Sequence, residues 1–265
     1  ILFIILFIWL TPIATMIFDS MKSMHDTFFT DVLVPSRNID ISPLLDSIKY
    51  MVEPILSSFL IIVPSALVSA LLGALSAYAV YRAGGRHISL FLAIFGLSLG
   101  LPMQTTLIPL VYIENVILHV YGTYLGIFLA FTIYMLPGSV FISLIFLSSI
   151  PKQFIEAGLV DGANEIRIFS SILMPLFLPG FISLFIYLII MGWNNFYLPF
   201  ILTRGIGAFG ATAVLALYGS IGQYGTLYNE VYAKALLASL VPLVIFIILG
   251  RYFIRGLLTF GAGGR

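Results

Sequence analysis

The stretch KQFIEAGLVDGANEIRIFSSILMP, Lys152 to Pro175, lies between two apolar runs, Tyr124–Ser149 and Leu176–Thr203. Lys152, Glu156, Asp161, Glu165 and Arg167 fall within its first sixteen positions, in a chain of which only 9% is charged. Each flanking run is long enough to cross a bilayer, which takes about 20 mostly apolar residues. The polar stretch is therefore a connection at one membrane surface.

The rest of the chain agrees. It is 61% hydrophobic with a mean hydropathy of +1.13, whereas soluble domains are about 45–50% apolar and about 25% charged. In lipid the backbone must bond to itself, in helices or a closed barrel. The apolar runs here are continuous rather than alternating, which selects helices. Six spans are expected: Ile1–Phe18, Pro54–Tyr81, Ile88–Tyr112, Tyr124–Ser149, Leu176–Thr203 and Tyr232–Phe253. The second and fifth exceed the minimum and have room to tilt or kink. The expectation is an all-α polytopic membrane protein with one domain over residues 1–265. Its start, apolar from residue 1 and without Met, is expected of a truncated or processed N-terminus. Ile1–Leu10 also has the length of a signal-peptide core, but no basic flank or small-residue cleavage site accompanies it, so it reads as a retained helix.

Basic residues favour the cytoplasmic side of short loops. One set of connections holds Arg82, Arg86, Lys152, Arg167, Arg251, Arg255 and Arg265; the other holds Lys22, Arg37, Lys49 and Arg204, with Lys234 at its edge. The first set is the cytoplasmic side, and both termini are then inside. The opposite side carries two sizeable loops. Asp19–Glu53 is polar and acidic, with Pro35 and Pro43 as turn signals. Residues 203–231 form a Gly-rich outer loop around a short apolar piece, Ala211–Tyr218, that cannot span and is expected as a small surface helix.

Within the polar stretch, Ile155, Leu159, Ala163, Ile166 and Phe169 recur at helical spacing, with Glu156, Asp161, Asn164, Glu165 and Arg167 elsewhere on the wheel. Pro151 suits a helix start, and Glu156 lies early, where the helix dipole favours negative charge. Gly162 would cost about 1 kcal/mol inside a helix. Asp161-Gly162 is a turn signal, so a bend between two short helices is expected, with Pro175 separating this element from the fifth span. Two readings stay open on these grounds: a solvated amphipathic loop on the membrane surface, or a helix that docks into a cytoplasmic partner.

The run EAGLVDGANEIRIFSSILMP resembles the cytoplasmic signature of ATP-binding-cassette importer permeases: Glu-Ala-Ala, three residues, Gly, nine residues, Ile-x-Leu-Pro. Glu156, Ala157, Gly162, Ile172 and Pro175 match at that spacing; Gly158 replaces the second Ala and Met174 the Leu. The resemblance implies the type I importer permease fold. It also implies that 151–175 is a coupling loop whose helix docks into an ATPase subunit, with Glu156, Ala157, Gly158, Asp161, Gly162 and Ala163 as ATPase-coupling residues. Likeness extends over most of the chain and is greatest to the carbohydrate branch with its maltose-type permeases. GWNNFYLPFIL, AYAVYRAGGRH, LPMQTTLIPLVYI and the tail RYFIRGLLTFGAGGR all resemble that branch. Pro64-Ser65 departs from its frequent Asn-Ser. The implied partners are a second homologous permease, two ATPase subunits, an extracytoplasmic solute-binding protein met by the 203–231 loop, and a sugar. The implied place is a prokaryotic plasma membrane, and ATP with Mg is implied on the ATPase subunits.

The chain's own chemistry is sparse. GxxxxGK[ST] is absent, so no ATP is expected on this chain, and GxSxG and HExxH are absent too. GAGGR reads as a flexible tail. With no cysteine and three scattered histidines, His25, His87 and His119, no metal site or other cofactor is expected. No basic run suggests nucleic acid. The chain is expected to be no enzyme by itself. Polar residues within spans are candidates to line a path: Trp193, Asn194, Asn195 and Tyr197 in the fifth, Gln104, Thr105 and Thr106 in the third, Tyr134 and Ser139 in the fourth. For these, an interfacial aromatic belt or bonding between helices is the alternative, and Gly192 and Pro199 are expected to loosen the fifth span. The lack of charge within spans suits a neutral solute and disfavours an ion-coupled transporter.

Overall fold

The computed structural model describes residues 2–36, 38–203, 212–221 and 227–262, with the backbone alone from 252 onward. α1 (Leu2–Asp19) and the short α2 (Met24–Phe29) lead into α3 (Ser42–Ala83). α4 (Gly85–Leu99), α5 (Gln104–Tyr112) and α6 (Tyr124–Ser148) follow. The polar connection is built from α7 (Gln153–Val160) and α8 (Glu165–Arg167). α9 (Met174–Trp193), α10 (Tyr197–Leu202), α11 (Ala213–Tyr218) and α12 (Tyr228–Ala262) complete the described chain. Among the described residues, five continuous helical stretches are long and apolar enough to span, and the pair α4 and α5 makes a sixth, bent by 96°. The six expected spans are thus all helical, with three corrections.

The second span starts at Ser42 rather than Pro54, so the Asp19–Glu53 loop is shorter than expected. Hydropathy ends at Glu53, but helix formation does not need apolar residues above the membrane surface. Pro43 sits in the first turn, where its missing N–H costs nothing. Asp40 accepts from Ser42 through both backbone N–H (2.9 Å) and hydroxyl (2.7 Å), and these bonds, the hydroxyl's first, hold its carboxyl below the ordinary carboxylate range. α3 runs for 42 residues, about 60 Å at 1.5 Å per residue.

The third span is broken between Leu99 and Gln104, where Pro102 cannot donate to a helix ladder. The fifth is broken at Asn194–Phe196, beside the expected loosening residues Gly192 and Pro199. By contrast, Pro175 separates nothing. Helix is continuous from Glu165 to Trp193, because a π-helical turn at Ile168–Leu173 precedes it and places Pro175 in the first turn of α9.

The core is a bundle of α3, α6, α9 and α12. Lipid gives helices no hydrophobic reason to associate, so close approach of small residues has to hold them. α3 presents Ser65, Ser69, Gly73 and Ala77 at four-residue spacing, with Ala66, Ala70 and Ala74 beside them, all buried. At Gly73 a Cβ would sit 2.1 Å from Ser139 Oγ of α6 and 2.8 Å from the Ser139 carbonyl carbon. Ser139, one of the path candidates, is wholly buried there and donates to Ser69 O at 2.8 Å. The Ser65 hydroxyl lies 2.7 Å from Ile61 O and 3.1 Å from Phe128 O, the latter across the same seam. α9 joins through Gly180 against the Phe146 ring and Gly192 against Met135 and Ile62. α4 buries no residue and α1 only Asp19, so both keep apolar faces outward.

Just beyond α1, Lys22, expected as a loop cation, is 1% exposed. It pairs with buried Asp19 and donates to Asp31 O at 2.9 Å, while Asn229 Nδ2 donates to Lys22 O at 3.1 Å. This polar knot ties the end of α1 to the start of α12.

Gly73→Ala is expected to destabilise by about 1–3 kcal/mol, the usual range for overpacking a tight site. The readout is the melting temperature in mild detergent. Ser139→Gly in the same chain is expected to recover part of the loss, since the backbone at Ser139 stays close.

Candidate functional site

Two regions carry the polar residues that packing does not demand: the connection at residues 151–175 and a cleft beneath the break in the third span.

In the connection, α7 ends in a left-handed glycine cap. Gly162 has φ +76°. Ala163 N donates to Gly158 O at 2.9 Å and Gly162 N to Leu159 O at 3.0 Å, the paired bonds of a Schellman motif. Only glycine takes that φ without steric cost. Asn164 then caps the next helix, its Oδ1 accepting from Arg167 N at 2.9 Å. The run DGANEIR therefore encodes a stop, a turn and a restart, which is the expected bend between two short helices.

The bend also shifts the phase of the wheel, which corrects the single apolar face read from the sequence. Ile155 is buried, and Ala163 and Phe169 are half-buried. Leu159 at 41% and Ile166 at 79% exposure instead face away from the bundle, with Phe154 at 46% and Val160 at 88%. Glu156, Ala157, Asp161 and Gly162 are exposed around them. Gly158 points inward, where a Cβ would meet Ile172 Cδ1 at 2.6 Å. That contact accounts for glycine at this position, since the Ile172 side chain fills the space a methyl would take.

The cleft, about 420 Å³, is lined by Met103, Thr106, Leu110, Tyr134, Pro137, Met191 and Leu198 among others. Of the path candidates, Tyr134 and Thr106 line it, and Asn195 adjoins it. Asn195 Nδ2 lies 3.4 Å from Met103 Sδ, its Oδ1 accepts from Leu198 N at 3.0 Å to cap α10, and its side chain interacts with Tyr134. Gln104, Thr105, Asn194 and Tyr197 are exposed. Thr105 and Thr106 place their hydroxyls on Pro102 O and Met103 O, both at 2.7 Å, so the helix break supplies acceptors for its own threonines. Trp193 lies apart from this group. It is 3% exposed, donates from Nε1 to Ala238 O at 3.1 Å and meets Phe59 edge-on.

One buried acid was not singled out from the sequence. Glu114 lies in the π-helical turn Ile113–Ile117 after α5, 1% exposed, and neither carboxylate oxygen has a partner among the described residues. A Cβ on Gly126 would approach its Oε2 to 3.0 Å. It lies just beyond the expected third span, Ile88–Tyr112, where hydropathy carries no signal of burial.

In the 203–231 loop, residues 204–211 and 222–226 lie outside those described. The expected short helix is present as α11, capped by Thr212 Oγ1 and joined to the bundle where Ala213 N donates to Ser58 Oγ at 2.8 Å. The tail GAGGR lies at and beyond the edge of the described residues. Among those residues no three His, Asp or Glu side chains gather as metal ligands would.

The comparisons with known proteins match this architecture. Residues 69–259 match the family model described as binding-protein-dependent transport system inner membrane component. The chain is 37% identical to the glucose import system permease protein GlcU of Saccharolobus solfataricus, over 97% of this chain and 91% of that protein. It is 30% identical to the alpha-glucoside transport system permease protein AglG of Rhizobium meliloti, over 88% of this chain and 62% of that protein. Its fold matches, with a TM-score of 0.68 at 19% identity, a chain of a bacterial ABC transporter involved in the import of the acidic polysaccharide alginate, covering 95% of this chain and 93% of that one. The Gly162 cap of the polar connection lies inside the matched span, and this chain belongs to the binding-protein-dependent transport system inner membrane component family, the multi-pass permease subunits of ATP-binding-cassette importers.

Proposed function

We propose that the chain is one of the two transmembrane subunits of a sugar importer, paired with a second permease, two ATPase subunits and an extracytoplasmic binding protein. The observation that carries this is the uncovered face of the 151–175 connection. Leu159, Val160 and Ile166 are exposed apolar residues on a segment that also bears exposed Glu156 and Asp161. An exposed apolar patch rimmed by charge marks a protein contact, and two short helices fixed by caps suit insertion into a groove. The names of the relatives, import of glucose and of alpha-glucosides, support the sugar.

In this reading the connection is cytoplasmic, as are both termini. ATP and Mg act on the ATPase subunits, and this chain supplies no catalytic group. ATPase closure presses the connection, and helices turn as rigid bodies to expose the path outward. The cleft at Tyr134, Thr106 and Asn195 forms part of that path. Gln104, Thr105, Asn194 and Tyr197 offer amide and hydroxyl groups around it, and Trp193 holds the fifth span in place against α12. The Gly-rich outer loop receives the binding protein.

The first test is purification of the tagged chain in mild detergent with mass spectrometry of what remains bound. A second permease and an ATPase in equal amounts support the reading; a lone chain or a homodimer under gentle conditions overturns it. In proteoliposomes holding the complete complex, uptake should require ATP on the ATPase side.

Glu156→Ala and Gly162→Pro are each expected to lower binding-protein-stimulated ATP hydrolysis about tenfold, the effect of losing about 1.4 kcal/mol at a docking contact. Unchanged uptake in both would refute the assignment of the connection. Gly158→Ala is expected to lower the melting temperature only slightly, a cost below about 1 kcal/mol because a terminal methyl can swing aside, and Ile172→Val alongside it should restore the loss. Tyr134→Phe is expected to raise the sugar concentration for half-maximal uptake, measured with radiolabelled sugar.

A further inference from the structure

The coupling reading names the segment that is pushed but not the element that takes up the push. The last turns of α3 carry Tyr78, Tyr81 and Arg82, and these three side chains meet the connection at two places. Where α6 gives way to it, the Tyr81 hydroxyl donates to Ile150 O at 2.7 Å, and Lys152 Nζ lies 5.7 Å from the centre of the Tyr81 ring. Where the chain turns back into the bundle, Arg82 donates to Glu165, from Nη2 to Oε1 at 2.6 Å and from Nε to both oxygens at 3.2 Å. The Tyr78 hydroxyl donates to the other oxygen of Glu165, and the Tyr78 ring packs 5.4 Å from Phe169. The two grips bracket α7 and the Gly162 turn.

Packing alone does not ask for this arrangement. The side chains of Arg82 and Glu165 are 33% and 53% exposed, and water screens such a pair so that it adds little to stability. What a forked guanidinium on a carboxylate does supply is direction, because two parallel bonds fix the relative orientation of the groups they join. α3 is also the helix best placed to carry motion away. It is unbroken for 42 residues, is locked to α6 at Gly73, and touches the outer loop where Ser58 receives Ala213 N.

We infer that the cytoplasmic end of α3 is the receiver of the coupling stroke. Tyr78, Tyr81 and Arg82 are positioning residues that hold the connection at both of its ends, so that it and α3 move as one body. α3 then carries the displacement to α11 and the outer loop. The inference rests on the coupling reading above, and the test separates the two.

The complete complex, with its binding protein, is reconstituted in proteoliposomes, and the ratio of sugar transported to ATP hydrolysed is measured. Arg82→Glu and Glu165→Arg are each expected to lower this ratio at least about fivefold, with subunit composition and melting temperature unchanged. The swap R82E/E165R is expected to regain most of it, since the pair is restored with its charges exchanged. A merely structural role would move the melting temperature and leave the ratio alone. Wild-type ratios in both single variants, or a swap no better than either, overturn the inference. If charge reversal prevents assembly, Glu165→Met combined with Tyr78→Phe removes the same bonds at similar side-chain length; a lowered ratio then supports the receiver role and an unchanged one overturns it. Uptake by the unaltered complex that ignores ATP would overturn the coupling reading itself. ATP-driven uptake with indifferent variants overturns only the receiver role. The chain has no cysteine, so Arg82→Cys with Glu165→Cys offers a clean second measurement. Before joining, this variant is expected to show the lowered ratio; joined by a short bis-maleimide, one moving body regains it, whereas two bodies that separate during the cycle stop transporting.

Discussion

Within a bilayer an apolar side chain gains nothing by leaving lipid for a neighbouring helix. Adhesion therefore depends on how closely two backbones can approach, and among the described glycines the tightest contact lies between α3 and α6, at Gly73 and Ser139. The small residues above and below it on α3 continue the contact along the membrane. α9 docks on the resulting pair through its own close contacts at Gly180 and Gly192, and α12 docks on α9 through Trp193. Loosening the seam would remove the surface on which the rest of the bundle is built. α1 and α4, which bury almost nothing, hang on this core.

Against that rigid pair, the chain places its irregular backbone where it opens a space. The 96° bend at Gly100–Met103 and the break at Asn194–Phe196 flank the same cleft. Irregular backbone at membrane depth is tolerated only where it lines a cavity or is buried in protein. Both breaks satisfy their freed groups locally, through the threonine hydroxyls at the first and the Asn195 cap at the second. The π-helical turns at Ile113–Ile117 and Ile168–Leu173 are two further departures from regular α-helix. One holds the buried acid Glu114, and the other joins the polar connection to its span.

The connection shows how capping can specify a shape that propensity alone would leave undecided. Gly162 permits the left-handed turn, Asn164 restarts the helix, and the bonds to Gly158 O and Leu159 O close the motif. The result is a defined turn whose outward apolar residues are left uncovered among the described residues. Such a surface belongs to an assembly rather than to a lone subunit.

The sequence by itself determined the class of the molecule. Unbroken apolar runs in lipid have only the helix available to them, and DG followed by N states a turn and a restart in residues next to one another. The membership of the permease family was legible for the same reason, in the local spacing from Glu156 to Pro175. What only the tertiary structure decided depends on distance in space. The polar start of α3 escaped a reading based on hydropathy, because water as well as lipid can surround a helix. Trp193 and Ser139 stand far in sequence from Ala238 O and Ser69 O, the acceptors they reach only in the folded chain. The outward turn of Leu159 and Ile166, and the meeting of Arg82 with Glu165, came from a bend that resets the helical wheel and from two helices folded back on one another. A linear periodicity contains neither.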